Sequence, residues 1–584
     1  MLEVLNVSQI ITPPQSESLT VLNHIHFGVP AGHLMGIIGA PGSGKTSLIH
    51  LLAGSRQATE GTILFQGKDT AISPPTVNSI GHVPADDACL NGLLTVRETI
   101  MSALMLRVAN PSNEERISKA SHILVGVGLE TIATQRVSQL SLPQKRRLKL
   151  ALALVSDAPL VLCDKFTDGL DVKSEQELTA LLKFVVSDQP GRVVIHATQT
   201  LGNISSYDTV VILHEGYVCF HGPARAVAHY FSITTIEELY PRLAKRPAER
   251  WGDSWSRHRE SYYEAFKLGD LGKSHEERPE QDQTDANETA EPTEPPSTAK
   301  PSTEEIVYAA APALPSLMSQ AAHLIQRRWT LLRRNQSEWI QHLIMLIVSP
   351  LLAMLLLAPN TVYLSTLKNE VIAPEDLWPA AYTCSMAVFI QILLMLILSL
   401  RHAAREIAGE RSLFERERQA GLRAGAYLIG KLGFLIPISL AQSLTLGLFL
   451  SITGGSLPGN GFARLLLLML TGIAFTSLCL GLSARSSSAA RAQNHAWILL
   501  VVNVLLCGAL LGFPRLLGGV LQPLITAYYG WSGSIDTLKN SAVFEPLTKL
   551  VRTWFAAPSG AMIALCCHAL IGIALAITGL RKRL

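Results

Sequence analysis

Short apolar runs alternate with stretches of helical spacing along the first 265 residues. Met35-Gly36-Ile37-Ile38, Leu160-Val161-Leu162-Cys163, Val193-Val194-Ile195 and Val210-Val211-Ile212-Leu213 read as strands buried on both faces. The alternation predicts an α/β domain over residues 1–265. Residues 266–305 are Glu, Asp, Thr, Pro and Ser with almost no large apolar side chain, a composition that cannot repay ordering and predicts a flexible acidic linker. Over 306–337, Leu317, Leu324, Ile325, Leu331 and Leu332 recur at helical spacing, with Arg327, Arg328, Arg333 and Arg334 available to lipid phosphates; this predicts a connecting helix on the inner membrane surface. Six apolar segments follow, at about 339–358, 378–400, 433–453, 465–483, 496–513 and 560–579. Each is near the ~20 residues needed to cross a bilayer, so 338–584 is predicted to be an all-α transmembrane domain.

Composition sharpens that division. With 584 residues the chain exceeds one hydrophobic core, and 48% hydrophobic against 16% charged residues points to part of it lying in lipid. A formal net charge of +3 gives no argument for a nucleic-acid partner. Met1-Leu2-Glu3-Val4 lacks a basic region followed by an apolar one, which places the first domain in the cytosol. Arg401, Arg405, Arg411, Arg416, Arg418, Arg423 and Lys431 between the second and third spans, and Arg581-Lys582-Arg583 at the tail, put both segments inside, hence both termini. The loop after the first span has only Lys368 and the one after the third has no basic residue before Arg464, as expected outside; the long outer loop at about 514–559 carries four basic residues and fits less cleanly. Cys89, Cys163, Cys219, Cys384, Cys479, Cys507, Cys566 and Cys567 show no metal-ligand spacing and read as small core residues.

One motif carries chemistry outright. Gly39-Ala40-Pro41-Gly42-Ser43-Gly44-Lys45-Thr46, after the strand Met35–Ile38 and before the helical run from Ser47, matches the phosphate-binding P-loop in full. Its backbone N–H groups would close around phosphates, Lys45 would reach the β- and γ-phosphates, and the Thr46 hydroxyl would ligate Mg²⁺. Asp164, ending the apolar strand that begins at Leu160, is suited to hold the same Mg²⁺ through water. ATP and Mg²⁺ are therefore the expected ligands.

Between these motifs, Leu140-Ser141-Leu142-Pro143-Gln144 and the basic residues after it resemble the signature of ABC ATPases, and Gly169-Leu170-Asp171, after Thr167-Asp168, resembles their D-loop. The motif order, with the ATPase domain ahead of the membrane domain, resembles the G-subfamily half-transporters of the White and breast-cancer-resistance type. Leu94-Thr95-Val96-Arg97-Glu98-Thr99, Glu215-Gly216 and His221-Gly222-Pro223 are similar to further segments of that subfamily, and Phe414-Glu415-Arg416-Glu417-Arg418 with Gly421, Tyr427 and Lys431 is similar to the charged element by which such permeases engage the ATPase. The resemblance implies a dimer that sandwiches two ATPs, each between one subunit's P-loop and the other's signature.

Four functional loops depart from the family pattern. Lys165 stands where the family has its catalytic Glu, and a cation cannot accept a proton from water. Thr198 stands at the switch histidine; His196, two residues earlier, lies on the same side by period-two alternation and leaves a rescue open. Ala85 replaces the Gln that senses Mg²⁺ and water. Leu142-Pro143 replaces two signature glycines, removing a backbone donor and crowding the partner's phosphate. Three readings follow: an ATP-binding subunit, weak in hydrolysis at its own site, paired with a more complete half in a homo- or, better, heterodimer; a regulatory membrane protein set by ATP occupancy; or an active homodimeric export ATPase. Gln391, Gln442 and Asn503 are candidates either for a cavity between subunits or for helix packing. Lipids, sterols and amphipathic drugs are the cargo classes the resemblance implies.

Overall fold

A computed structural model describes residues 2–11, 18–75, 77–87, 89–109, 112–266, 313–360, 362–363, 373, 375–453, 457–512, 515–551 and 553–581. The acidic linker beyond residue 266, Lys368, Lys582 and Arg583 lie outside them. The described residues divide into two compact units, one built on Met1–Pro315, the other on Ser316–Arg418 and Leu422–Leu584.

In the first unit, β1 (Leu2–Ile11), β2 (Leu19–Val29), β4 (Glu60–Phe65) and β5 (Lys68–Asp69) form an antiparallel sheet in the order β2-β1-β4-β5. The main sheet has β3 (Leu34–Ile38), β6 (Ile80–Val83), β7 (Leu160–Asp164), β8 (Val193–Thr198), β9 (Thr209–His214) and β10 (Tyr217–Gly222) in the order β10-β9-β3-β8-β7-β6. All its pairs are parallel except β9 with β10. Covered on both faces, β3, β7 and β8 are buried at every residue, which is why their sequences are unbroken apolar runs rather than alternating ones. Around the sheets lie α1 (Lys45–Leu52), α2 (Val96–Arg107), α3 (Leu142–Leu154), α4 (Val172–Asp188) and α5 (Ala248–Ala265). Thr95 and Glu98 form a reciprocal capping box that starts α2, so this family-like segment is first of all a helix N-terminus.

Parallel register decides what meets at the carboxyl edge. Ile38 lies opposite Thr198, Ala197 opposite Asp164, and Val83 opposite Cys163. The loops that leave β3, β7, β8 and β6 therefore begin in one row, the place where open parallel sheets bind ligands.

The second unit is all-helical: α6 (Leu317–Arg334), α7 (Gln336–Leu357), α8 (Leu377–Ala403), α9 (Arg411–Gln419), α10 (Ala424–Thr453), α11 (Gly461–Arg485), α12 (Ala489–Leu506), α13 (Thr526–Asp536) and α14 (Pro558–Arg581). Five described stretches, Gln336–Asn360, Leu377–Gln419, Ala424–Leu448, Gly461–Arg485 and Pro558–Arg581, are long and apolar enough to cross a membrane. The segment expected at 496–513 folds differently: α12 starts at Ala489, and the chain bends after Leu506, where Gly508 takes a left-handed φ of 88°. Arg491, Gln493, Asn494 and His495 occupy its first turns, leaving Ala496–Leu506, about 16 Å of helix at ~1.5 Å per residue, roughly half a hydrocarbon core.

Three sequence expectations are corrected here. Arg327 and Arg328 do not face outward for lipid: Arg327 is paired with Glu417, and Arg328 with Glu338 and with Glu406 at 3.0 Å, all largely buried. Lys431 closes the network on Glu406 at 2.8 Å and Glu410 at 2.6 Å, so the Arg327–Arg328 part of the hydrophilic stripe of α6 is an internal seam against α7 and α10, while Arg333 is exposed. The charged 414–418 element is anchored in the second unit, with Phe414 fully buried on Tyr427 and Arg411 and Arg418 donating to the Ala484 and Leu580 carbonyls at 2.9 and 2.7 Å. The stretch expected as an outer loop contains α13, a packed helix. A Cβ on its Gly530 would lie 2.4 Å from Thr471 Oγ1, and one on Gly533 2.6 Å from the Ala561 methyl, so small residues let it seat between α11 and α14. Asn503 serves that packing, its amide oxygen accepting the Ala527 N–H at 3.0 Å, whereas Gln442 is buried with neither amide atom bonded. Finally, Cys566 and Cys567 are exposed on α14 and Cys89 is half-buried; the core reading holds for the other five.

Candidate nucleotide site

The P-loop runs from the end of β3 to the start of α1 and is built by its glycines. Gly42 and Gly44 take φ of 83° and 98°, a region side chains avoid, and a Cβ on Gly39 would lie 2.4 Å from Ser43 Oγ and 2.5 Å from the Leu213 carbonyl. Ala40, Pro41 and Ser43 complete the turn, Ser43 N–H donating to the Ala40 carbonyl at 3.2 Å, and Ser47 continues the first turn of α1. Lys45 folds over this loop, donating to the Gly39 and Ala40 carbonyls at 2.6 and 2.8 Å and to Ser43 Oγ at 3.3 Å. Burial pulls its ammonium down to about 8, with Asp168, ahead of Asp164, the strongest counteracting charge. Thr46 Oγ1 donates to Asp164 Oδ1 at 3.3 Å, so the two oxygens expected at a divalent cation already converge; burial holds the Asp164 carboxyl above its ordinary range, and the Thr46 bond opposes that. A glycine cradle closed to side chains, a lysine bonded only to its own loop and a hydroxyl–carboxylate pair fit a nucleotide phosphate with Mg²⁺.

The positions that depart from the resembled pattern lie in the same row. Lys165 follows Asp164 in a left-handed conformation, φ 50°, its N–H bonded to the Ala197 carbonyl at 2.9 Å and its side chain exposed. Thr198 is fully buried and donates to Asp168 Oδ1 at 3.0 Å, while its oxygen meets Thr200, which donates in turn to Glu175 at 2.5 Å. Thus the switch position is bonded to the segment that leads into the D-loop, where Gly169 has φ 79°, Leu170 is half-buried and Asp171 caps α4 through the Ser174 N–H at 3.1 Å.

His196 offers no rescue. Alternation does put it on the side of Thr198, but one step deeper in the sheet, where it is 0% exposed, bonded to Tyr207 Oη at 2.8 Å and packed on Phe166. Burial lowers its imidazole to about 3.

Around Ala85 sequence reasoning missed two residues. Arg146 donates to the Ala85 carbonyl at 2.7 Å, and the Lys149 ammonium to the carbonyls of Pro84, Ala85 and Asp86 at 3.0, 3.3 and 3.0 Å and to Asp87 at 2.9 Å. A lysine inside the apolar run Leu148–Leu154 was the available signal, since a buried ammonium requires acceptors. The signature itself starts α3: Leu140 is buried, Ser141 and Leu142 are exposed, Pro143 occupies the first turn where a missing N–H costs the helix nothing, and the Gln144 side chain accepts the Ser141 N–H at 2.8 Å. It is presented outward, away from its own helix.

Residues 22–168 match the ABC transporter family and residues 319–529 the ABC-2 type transporter family. The chain is 26% identical over 496 residues to the ABC transporter ATP-binding/permease protein Rv1747 of Mycobacterium tuberculosis, covering 83% of this chain and 51% of that protein. It is 31% identical over 258 residues to ABC transporter G family member 26 of Arabidopsis thaliana, covering 42% of this chain and 36% of that one. It therefore spans about half or less of the length of these relatives. The solved dimeric structure of MJ0796, a bacterial ABC transporter cassette, aligns at 26% identity with a TM-score of 0.35, covering 38% of this chain and 99% of that one.

Proposed function

Since this chain belongs to the ABC transporters, with the ATPase domain ahead of an ABC-2 type membrane domain as in G-subfamily half-transporters, we propose that it is the ATP-binding subunit of an exporter and hydrolyses ATP slowly at its own site. One observation carries this. Lys45, Thr46 and Asp164 are assembled for Mg-ATP, while the residue after Asp164 is an exposed lysine and the switch position a threonine. Loss of a general base commonly costs about 10² to 10⁴ in rate. Leu142 and Pro143 would in turn weaken a second sandwich site completed by this chain's signature, which favours pairing with a more complete half-transporter over a homodimer. The arginine-rich stretch between Arg401 and Lys431 supports a cytosolic face there, and with it cytosolic termini in a multi-pass membrane protein. The apolar membrane helices support lipophilic or amphipathic cargo.

Equilibrium Mg-ATP binding and phosphate release, measured side by side on the full chain in lipid nanodiscs with Lys45→Ala as control, test the reading. The expected outcome is Lys45-dependent binding with turnover far below that of an intact ABC ATPase, rising when a complete half-transporter is added. Turnover of ordinary speed from the chain alone would overturn it.

A further inference from the structure

We propose that the Asp168 carboxylate, held by the Thr198 hydroxyl, is the general base that activates water at this chain's own nucleotide site. The inference rests on the reading that the P-loop binds ATP, and names the group on which slow turnover depends. An ABC site ordinarily couples a carboxylate to an imidazole; here both positions have changed, to Lys165 and Thr198, yet a carboxylate still meets the switch residue. Asp168 lies three positions beyond Lys165, and its Oδ1 accepts the Thr198 hydroxyl at 3.0 Å.

Two features aim the pair at the nucleotide. Parallel register sets Thr198 opposite Ile38, the residue immediately before Gly39, so the bond forms beside the P-loop. The Asp168 carboxylate also acts on the Lys45 ammonium, opposing the fall that burial imposes on it. Only Oδ1 of Asp168 has a hydrogen bond among the described residues, which leaves Oδ2 a free acceptor for water. Thr198 is itself held, its oxygen receiving the Thr200 N–H at 3.2 Å and lying 3.0 Å from Thr200 Oγ1, which keeps its hydroxyl beside Asp168.

The step balances with water alone. The water oxygen bonds to the γ-phosphorus, the bond from that phosphorus to the β–γ bridging oxygen breaks with its electron pair leaving on ADP, and the water proton passes to Asp168 Oδ2 and then to solvent.

The full chain in lipid nanodiscs, as parent, Asp168→Asn, Asp168→Glu and Thr198→Val, tests this with two readouts: the Mg-ATP dissociation constant, and the identity of the nucleotide recovered from the protein after incubation with radiolabelled ATP. Asp168→Asn is expected to bind within about twofold of the parent but to convert bound ATP to ADP at least tenfold more slowly. Asp168→Glu should keep measurable conversion, and Thr198→Val should slow it severalfold with binding unchanged. The inference is overturned if Asp168→Asn converts ATP at the parent's rate, or if the parent shows no Lys45-dependent conversion; in both cases intact Mg-ATP binding leaves the proposed function standing. Absence of binding in the parent overturns both. If Asp168→Asn fails to fold, Thr198→Val decides alone, parental conversion in it being the refuting result.

Discussion

Lys149 gives the sharpest test of how the first unit is held together. Its side chain is 0% exposed and its ammonium bonds three successive carbonyls, Pro84, Ala85 and Asp86, together with the Asp87 carboxylate. Lys149→Met keeps the length and apolar stem but deletes all four bonds. A buried carbonyl that loses its donor costs ~1–3 kcal/mol. Ala85 keeps Arg146 at 2.7 Å, while Asp87, with a side chain 40% exposed, and the exposed Asp86 can rehydrate, so the loss falls chiefly on Pro84. Against it stands relief from burying an ammonium, a burden visible in the pKa of Lys149, which desolvation holds below the ordinary lysine value. The balance is about 1 kcal/mol of destabilisation, and at ~2–4 °C per kcal/mol for a unit of this size the melting temperature should fall by about 2–4 °C. Differential scanning fluorimetry of parent and variant in the same nanodiscs measures it. A variant that melts within a degree of the parent, or above it, would refute the reasoning, because the ammonium would then hold nothing that water or methionine cannot replace.

Three further outcomes follow from the same structure. Lys45 must be protonated to meet a phosphate and its pKa without ligand is about 8, so Mg-ATP affinity should fall as pH rises through 8, approaching tenfold per unit above it; Lys45→Arg, cationic throughout, should give a flat profile by isothermal titration calorimetry. The folded pKa of His196, about 3, lies below its unfolded value, so the unfolded chain binds the extra proton between them and stability must fall as pH drops from 6.5 toward 3. Denaturant melts of His196→Leu between pH 6.5 and 4.5 should show that slope reduced by up to ~1.4 kcal/mol per pH unit, and an unchanged slope would refute the assignment. A Cβ on Gly572 would sit 2.4 Å from the Ser477 carbonyl carbon and 2.5 Å from the Leu478 nitrogen, so Gly572→Val should force α11 and α14 apart and abolish the monodisperse peak in size-exclusion chromatography, whereas Gly560→Ala, in open space, should be neutral.

The chain's pattern was sufficient wherever one residue's neighbours in sequence are also its neighbours in space. The P-loop is such a case: eight consecutive residues whose glycines set the local backbone, bracketed by an apolar strand and a helix, could be read without knowing what lies around them. The apolar runs of β3, β7 and β8 announced burial on both faces, and the membrane helices announced length and hydropathy. Substitution at Lys165 and Thr198 was visible for the same reason, since position after a strand end is a local property.

Tertiary structure decided everything that depends on which strand or helix lies alongside. Period two allowed His196 beside Thr198; only the parallel neighbours β3 and β7 show that one is enclosed by Tyr207 and Phe166 while the other reaches the open carboxyl edge. Helical spacing assigned Arg327 and Arg328 a polar face, but polarity does not distinguish lipid phosphate from a buried carboxylate, and Glu406 and Glu417 come from 78 and 90 residues away. The stretch holding α13 reads as a loop in the sequence because it lies between apolar segments; the flanking α11 and α14 show it as a packed helix whose small residues permit the close approach. Charges and hydrogen-bonding groups are satisfied by whatever surrounds them, and for Lys149, Asp168 and Arg328 those partners lie far along the chain, so their roles exist only once the fold has brought them together.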